Sequence, residues 1–299
     1  MTDVPQTLQS SPAVPSAREL AVARCAVITS GDAARTDDAL LRVAEIAHGA
    51  GVQLVLPPEE ASKHPKLSER AIVEDDPREG CALALVLGGD GTMLRALQRF
   101  LDTPTPVIGV NFGRVGFLTS LAAYELEARL PGVFAGEYER VLLPTIEVRH
   151  GAARHVAVND VLVTSAVQGR MAVLAWEVNG VAMGERGCDG VVVSTPSGST
   201  AYNLSAGGPV LGWGVDAMVV TFVAPHALDA RPLVLSHDHT MRVRSASRGF
   251  SSRVVVDGRP LWSLEEGDDV AVRMAPERSV LATLPDRPFL QHYREVFAR

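Results

Sequence analysis

The chain has few cysteines, and they are poorly arranged for cross-linking. Its 299 residues include three, at Cys25, Cys81 and Cys188, and no two of them form a Cys-x-x-Cys pair. This spacing indicates neither a disulfide framework nor a zinc knuckle. Such cysteine usage is typical of a reducing compartment, so we expect a cytoplasmic protein.

Basic residues are also in the minority. The chain has 28 Lys and Arg against 35 Asp and Glu, which gives a formal net charge of −7. Nucleic-acid-binding proteins present a basic face, so this balance argues against a nucleic-acid partner. No apolar run approaches the length of a bilayer span, and we expect no membrane association. An anionic ligand would need backbone dipoles and a few placed cations.

Two familiar phosphate-binding motifs are missing as well. The sequence contains no G-x-x-x-x-G-K-[ST], and no G-x-G-x-x-G opens a helix after a predicted strand. If the chain binds phosphate, it does so through a different motif.

The most informative stretch that is present runs from residue 82 to 97. Six apolar residues are followed by Gly-Gly-Asp-Gly at positions 88–91, and then by a segment led by Thr92 with apolar residues at helical spacing. This pattern predicts a strand, a tight turn and a helix. Glycines let a backbone pass close to a ligand, and a helix N-terminus attracts anions. We interpret the turn as a phosphate site with Asp90 beside it; a plain connecting turn is the alternative.

Strand and helix patterns alternate in the first half of the chain. Strands are predicted at 25–29, 52–56, 82–87 and 107–110, with helices at 33–51, after Thr92 and at 124–134. The polar segment 57–80 is predicted to be a mobile connection or a weak helix. Such alternation is typical of a parallel sheet covered by helices.

Short β-type runs predominate from about residue 138. They lie at 145–149, 156–165, 172–178, 191–194, 218–223, 240–244, 253–256, 270–274 and 279–284, and the pairs Asn179-Gly180 and Asp257-Gly258 are hairpin-turn signals. Helical spacing returns at 289–297. The predicted fold class is an α/β N-terminal domain with a parallel sheet, plus a β-rich, mostly antiparallel C-terminal domain.

The predicted domain division follows these patterns. Residues 1–20, rich in Pro, Ser, Thr and Gln without an apolar core, are expected to be a flexible leader and not a signal peptide. Residues 21–137 form the α/β domain, residues 138–284 form the β-rich domain, and the tail 285–299 packs back on the first.

Asn159-Asp160 interrupts an otherwise apolar strand pattern. Neighbouring strand residues point to opposite faces, so at least one of the two should face a cleft or a buried hydrogen-bond network. A strand edge or a strand end is the alternative.

Hydroxyl groups are concentrated between Asp189 and Gly208. The strand core 191–193 is followed by four Ser, two Thr, an Asn and a Tyr within 14 residues. These groups can hydrogen-bond a polar ring system and a ribose without charge. A solvent-exposed loop is the alternative, although Ala201, Tyr202 and Leu204 make the segment more apolar than a free loop requires.

Two further groups of residues have simpler interpretations. His237 and His239 share one face of an extended segment, an arrangement that a metal could use, but no third ligand is near and a surface pair is favoured. Trp176, Trp213 and Trp262 are isolated and are predicted to serve packing.

Three motifs occur together in this chain, in the following order: Gly88-Gly-Asp-Gly-Thr92, Asn159-Asp160, and Asp189-Gly-Val-Val-Val-Ser-Thr-Pro-Ser-Gly-Ser-Thr-Ala-Tyr202 followed by Ser205-Ala-Gly-Gly208. In this combination the chain resembles the NAD kinase family, from about Cys25 to the tail. The segment 113–119 is similar to the family's glycine-phenylalanine loop. Ser197 departs from a frequent Thr, and Asp160 is shorter than the Glu often found there.

The resemblance implies a two-domain NAD kinase-like fold, within the diacylglycerol kinase and phosphofructokinase-like superfamily, assembled as a homodimer or homotetramer. It implies that Asp90 is catalytic and faces the 2′-hydroxyl of the adenosine ribose. Phosphate binding is implied for the turn residues Gly88, Gly89, Gly91 and Thr92. NAD contacts are implied for Asp90, Gly91, Phe117, Asn159, Asp160, Asp189, Thr200, Ala201, Tyr202 and Ser205.

The implied reaction is transfer of a phosphoryl group from ATP, or from inorganic polyphosphate, to NAD to make NADP. Mg²⁺ or another divalent cation would accompany ATP, and no protein side chain is assigned as a metal ligand. The alternatives are a lipid kinase that shares only the Gly-Gly-Asp-Gly turn and an NAD-binding sensor without turnover. The intact Asp90 in an intact turn favours an active enzyme.

Overall fold

The computed structural model describes residues 21–31, 33–113, 116–227 and 229–297. The leader predicted for residues 1–20 lies outside the described residues. The helices of the described residues are α1 (Ala33–Ala50), α2 (Pro58–Lys63), α3 (Pro65–Ser68), α4 (Asp90–Arg99), α5 (Leu126–Phe134), α6 (Tyr202–Ser205) and α7 (Phe289–Phe297), with 3₁₀ turns at Ala123–Glu125 and Gly198–Thr200. None of them combines the length and apolar character that a membrane span requires.

The strands alternate with these helices only in the first half. They are β1 (Arg24–Thr29), β2 (Gln53–Leu56), β3 (Ile72–Val73), β4 (Leu83–Leu87), β5 (Val107–Asn111), β6 (Leu121–Ala122), β7 (Glu139–His150), β8 (Ala153–Ala157), β9 (Asp160–Ser165), β10 (Ala172–Val178), β11 (Val181–Cys188), β12 (Gly190–Ser194), β13 (Ala217–Val223), β14 (Leu233–Ser236), β15 (Thr240–Ser245), β16 (Ser252–Val256), β17 (Arg259–Leu264) and β18 (Asp269–Thr283).

Strand β4 lies at the centre of the first half and is buried along its whole length. Its neighbours β1 and β5 both run parallel to it. Leu83, Leu85 and Leu87 face the cluster that contains α1 and α5, whereas Ala84 and Val86 face the cluster that contains α4. Helices on both faces explain why the strand reads as an uninterrupted apolar run.

A second sheet of six strands is antiparallel throughout, in the order β14-β13-β12-β9-β16-β17. It packs against the antiparallel part of the first sheet, because one core cluster holds residues of β9, β12 and β16 together with residues of β7, β10 and β18. The predicted fold class, α/β first and mostly antiparallel β second, is therefore confirmed.

Strand β18 connects the two halves. It pairs antiparallel with β15 and β7 and then parallel with β5, through Leu281 and Val107. The first sheet is therefore mixed: its strands from the first half pair parallel, as predicted, and strands of the second half extend it with antiparallel pairs. The predicted strands 270–274 and 279–284 form this single strand, interrupted by an irregularity between Met274 and Arg278.

Other strand predictions also need correction. The predicted run 156–165 is two strands, since β8 ends at Ala157 and β9 begins at Asp160. The pattern missed β3, β6, β11, β14 and β17, and β11 in particular is mostly exposed and contains Gly184 at φ +99°. An exposed edge strand lacks the apolar alternation on which the prediction depended.

Both predicted hairpin turns are confirmed. Asn179 and Gly180 have φ values of +48° and +80° between β10 and β11, and Asp257 and Gly258 have +47° and +77° between β16 and β17. Positive φ at both central residues is what a two-residue hairpin turn with the right twist requires.

Helix α7 contacts residues from both halves. The rings of Phe289 and Phe297 lie 6.5 and 5.5 Å from that of Phe117. The rings of Phe289 and His292 lie 5.3 and 5.4 Å from that of Trp213. The tail helix therefore covers the loop that follows β5.

Candidate functional site

Asp90 is the first residue of α4, directly after the N-cap residue Gly89. Its Oδ2 accepts a hydrogen bond from the backbone N–H of Phe117 (2.9 Å), and its Oδ1 accepts one from Leu118 (3.2 Å). A Cβ atom at Gly116 would lie 2.0 Å from Oδ1 of Asp90, so only glycine permits this approach. The loop after β5 thus fixes the carboxylate of Asp90 over the helix N-terminus.

The surroundings of Asp90 also change its acidity. Burial raises the pKa of the Asp90 carboxyl above its ordinary value, and the two backbone N–H groups oppose the shift only in part. His292 of α7 lies nearby; burial lowers the pKa of its imidazole. A carboxylate with raised proton affinity is a better base than an exposed aspartate.

The glycines of the turn have different surroundings. A Cβ at Gly88 would lie 2.6 Å from Oγ1 of Thr92, whereas a Cβ at Gly89 or Gly91 would meet nothing within 4 Å. Gly88 is therefore required by packing inside the protein. Gly89 and Gly91 leave open space over the first turn of α4, where helical N–H groups have no partner within the helix. An anion is well accommodated at such a position.

Asn159 lies between β8 and β9 and Asp160 is the first residue of β9, so the pair stands at a strand end and not inside a strand. The carboxylate of Asp257 accepts hydrogen bonds from three consecutive backbone N–H groups there: Val158 (2.8 Å), Asn159 (2.7 Å) and Asp160 (3.0 Å). Residues 158–160 are called the ribose turn below, because the family resemblance implies NAD contacts for Asn159 and Asp160. The conformation of the ribose turn is set by a side chain 97 to 99 residues away in sequence.

Asp160 is buried, with 8 % of the residue exposed. Within the described part of the chain no group donates a hydrogen bond to its carboxylate. Burial, and next the nearby carboxylate of Asp257, raise the pKa of Asp160 to about 7. A buried carboxylate without donors is energetically costly, so its oxygens are available to hydroxyl donors of a ligand.

The hydroxyl-rich segment is anchored against the ribose turn and is not a free loop. Thr195 Oγ1 donates to the carbonyl of Val158 (2.6 Å), and a Cβ at Gly198 would lie 2.1 Å from the carbonyl oxygen of Asn159. Asn203 is fully buried and accepts a hydrogen bond from Thr221 of β13 (2.7 Å). Several of the polar groups of this segment therefore hold the fold together.

Other residues of this segment are accessible. Tyr202 is 42 % exposed, Ser205 is exposed, and Thr200 and Ala201 are partly buried. Tyr202 and Ser205 stand three residues apart on α6 and therefore share a face of it. These four residues, for which the resemblance implies NAD contacts, form one accessible rim beside the ribose turn.

Asp189 and the ring of Phe117 lie apart from the other predicted site residues. Asp189 is exposed and precedes β12, while Ser194 at the other end of β12 pairs with Asp160. Five residues of strand separate Asp189 from that end by about 17 Å. The ring of Phe117 is buried under α7, so its backbone N–H and not its ring faces Asp90.

The residues that the sequence interpretation missed are Asp257, Gln98 and His292. Asp257 was recognised only as a turn residue, and its partners were not apparent because they are distant in sequence. Gln98 of α4 donates to Oδ2 of Asp257 (2.6 Å). The described residues contain no group of three potential side-chain metal ligands, and His237 and His239 are surface residues near aspartates.

Two family models match most of the chain. Residues 21–138 match the model of the ATP-NAD kinase N-terminal domain, and residues 158–284 match that of the ATP-NAD kinase C-terminal domain. The NAD kinase of Heliobacterium modesticaldum is 38% identical over 261 residues, which cover 86% of this chain and 85% of that protein.

Solved structures share the fold. Yeast NADH kinase in complex with NADH superposes with a TM-score of 0.81 at 22% identity, covering 96% of this chain and 92% of that one. An NAD kinase from Archaeoglobus fulgidus in complex with ATP has a TM-score of 0.72 at 27% identity, covering 92% of this chain and 99% of that one.

Proposed function

The chain belongs to the NAD kinase family, enzymes that phosphorylate NAD, and on this premise we propose that Asp90 is the base of the reaction. The observation that supports it is the partly buried carboxylate held at the start of α4 by two N–H groups. Each oxygen keeps a lone pair for the proton of the ribose 2′-hydroxyl. Orientation of that hydroxyl toward the donor phosphate would then depend on the ribose turn.

The donor phosphates would lie over the open first turn of α4, beside Gly89 and Gly91. Backbone N–H groups there would stabilise charge that develops during transfer. ATP is the donor we propose, since it is the nucleotide bound to the A. fulgidus NAD kinase, with polyphosphate as a second donor to be tested.

Mg²⁺ is proposed to accompany ATP. Mg²⁺ keeps several waters and commonly binds through substrate phosphates, and the described residues contain no group of three His, Cys, Asp or Glu side chains that could hold it alone. The donor set therefore fits a nucleotide-borne ion better than an all-protein site. When bound, the ion would neutralise phosphate charge; placing the hydroxyl and removing its proton remain tasks of the protein.

The acceptor NAD would bind on the side of Asp90 that faces the β-rich half. There Asn159 and Asp160 would hold ribose hydroxyls, and the rim from Thr200 to Ser205 would contact adenine. Asp189, proposed to lie beside the nicotinamide half, stands at the opposite end of β12 from the strand position that pairs with Asp160. A homodimer or homotetramer, as we propose, could bring Asp189 from a second copy. The buried free cysteines support a reducing, cytoplasmic setting.

A paired experiment tests the proposal. NADP formation from NAD, ATP and Mg²⁺ is measured by a coupled assay, and NAD binding by calorimetry on the same preparation. We expect both binding and turnover. Binding without turnover would favour an NAD sensor, and absence of both would overturn the proposed site.

A further inference from the structure

Asp257 occupies the tip of the β16–β17 hairpin and is 9 % exposed. Its two carboxylate oxygens accept four hydrogen bonds in all. Oδ1 accepts the backbone N–H groups of Asn159 and Asp160, and Oδ2 accepts that of Val158 and the side-chain amide of Gln98. The backbone N–H of Asp257 in turn donates to the carbonyl of Asp160 (3.0 Å).

This carboxylate joins two elements that come from different halves of the chain. Gln98 lies on α4, eight residues after Asp90, a rise of about 12 Å along one rigid helix. The ribose turn lies on the β-rich side. Asp257 therefore contacts both the helix that begins with the proposed base and the turn that presents Asn159 and Asp160.

We propose that Asp257 is a positioning residue that sets the ribose turn in register with helix α4, so that the NAD ribose meets Asp90 at the correct distance. The inference rests on the proposed function, since it assumes that the ribose turn contacts NAD. Asp257 itself touches the turn and Gln98, and it acts on the reaction through them.

The chemistry of the junction requires a carboxylate. An asparagine has one accepting oxygen and one NH₂ group. The NH₂ group would face either the N–H groups of Asn159 and Asp160 or the donors of Val158 and Gln98, and it can accept from neither pair. A carboxylate also places negative charge beside Asp160, which a purely structural turn does not need. The raised pKa of Asp160, to about 7, is consistent with that proximity.

The variant Asp257→Asn tests the junction with little change in shape, because asparagine tolerates the positive φ of this position. Two or more charge-assisted bonds are lost, so we expect kcat/KM for NAD to fall at least about tenfold. KM for ATP should stay within about twofold, because Asp257 contacts α4 at Gln98, near the end of the helix opposite the first turn over which the donor phosphates are proposed to lie. The acid limb of the pH profile should move to lower pH, because Asp160 loses a repelling neighbour.

The matched control is Asn179→Asp, the reverse exchange in the other two-residue hairpin turn, which should leave both KM values and the pH profile unchanged. If Asp257→Asn keeps the wild-type kcat/KM for NAD and pH profile, the proposal is overturned. A uniform loss of folding would show as faster hydrogen exchange everywhere, whereas the proposal expects faster exchange confined to residues 158–160.

Gln98 tests the connection to α4 separately. Gln98→Leu should lower kcat more than it raises KM for NAD, because the ribose turn stays intact while its register with Asp90 is lost. The double variant Asp257→Asn with Gln98→Glu reverses the direction of this hydrogen bond, because the glutamate accepts from the new asparagine amide. We expect it to recover part of the kcat that Asp257→Asn loses. Unchanged kcat in Gln98→Leu would overturn the register argument.

These tests also separate the inference from the proposed function. If the wild-type protein neither binds NAD nor makes NADP, the proposed function fails first. If the wild-type protein binds NAD and makes NADP, and the Asp257 and Gln98 variants have the same kinetic constants, only the positioning role of Asp257 is overturned.

Discussion

Asp90 and Asp160 are both shielded carboxylates proposed to meet the same ribose, and their surroundings are opposite. Asp90 receives two backbone N–H groups from the loop after β5. Asp160 receives none from the described residues, and a second carboxylate lies nearby. In both cases burial raises the pKa, but only Asp160 is raised to about 7.

The difference separates two ways of placing a carboxylate in a site. At Asp90 the side chain itself is held, which suits a group that must meet a proton at a defined distance. At Asp160 the backbone is held, by Asp257, while the side chain remains without donors. Such a carboxylate gains most when a ligand supplies hydroxyl donors.

The largest effect is expected for Asp90→Asn. Asparagine suits the same helix start and can still accept one N–H, but it cannot act as a base. We expect the rate of NADP formation to fall about 10²- to 10⁴-fold, with the lower end favoured because proton loss is late in a loose transfer. NAD affinity by calorimetry should change far less. A variant that keeps more than about a tenth of the rate would show that Asp90 only positions its ligand.

Asp160→Asn should act chiefly on NAD binding, by about 1.5–3 kcal/mol, through loss of charge-assisted bonds to the ribose. In the wild-type protein, NAD affinity should weaken as the pH falls through about 7, where Asp160 becomes protonated. Titrations at several pH values check this. Normal binding with poor turnover in Asp160→Asn would reopen the assignment of the base.

The same variant should have the opposite effect on stability. The folded-state pKa of Asp160 is raised, so its contribution to stability is full below the unfolded pKa and is lost as the pH rises toward about 7. Asp160→Asn removes that loss and should stabilise the protein above neutral pH, by about 1–4 kcal/mol. Urea unfolding at pH 5 and pH 8 measures the difference; equal effects at the two pH values would contradict it.

Glycine-to-alanine exchanges at Gly88 and Gly91, in the turn before and at the start of α4, should show which glycine is needed for stability and which for ligand binding. Gly88→Ala places a Cβ against Thr92 and should lower the free energy of unfolding by about 1–3 kcal/mol. Gly91→Ala meets nothing in the protein, so stability should hold while KM for ATP rises severalfold. If Gly91→Ala leaves KM for ATP unchanged, the donor phosphates do not lie over this turn.

The smallest effect is expected at the rim. Tyr202→Ala removes an accessible ring and should weaken NAD binding by about 0.5–1.5 kcal/mol, with little change in kcat. Thr200→Ala is the companion variant, with a loss at the lower end of that range. Unchanged NAD affinity in Tyr202→Ala would remove the rim from the site.

Local patterns predicted the parts of the fold that depend on local causes. The apolar run of β4, the turn before Asp90 and the hairpin turns at Asn179 and Asp257 follow from burial and backbone conformation. The junction at Asp257 was not predictable in the same way, because its partners are set by strand register between distant segments. The ribose turn was read as a strand interior for the same reason: nothing near Asn159 in sequence signals the carboxylate that ends the strand there.

The passage of β18 through both halves has a consequence for biosynthesis. On the edge of β5 away from β4, strand β6 pairs with the end of β5 at Val110 and Asn111, but the start of β5 at Val107 pairs with Leu281, so that part of the edge stays open until synthesis has passed residue 281. Unpaired strand edges in growing chains invite intermolecular association, and pairings between such distant residues form slowly. A truncation that removes β18 should therefore leave the first half prone to aggregate, because the start of β5 finds its partner on that edge in β18, the last of the described strands.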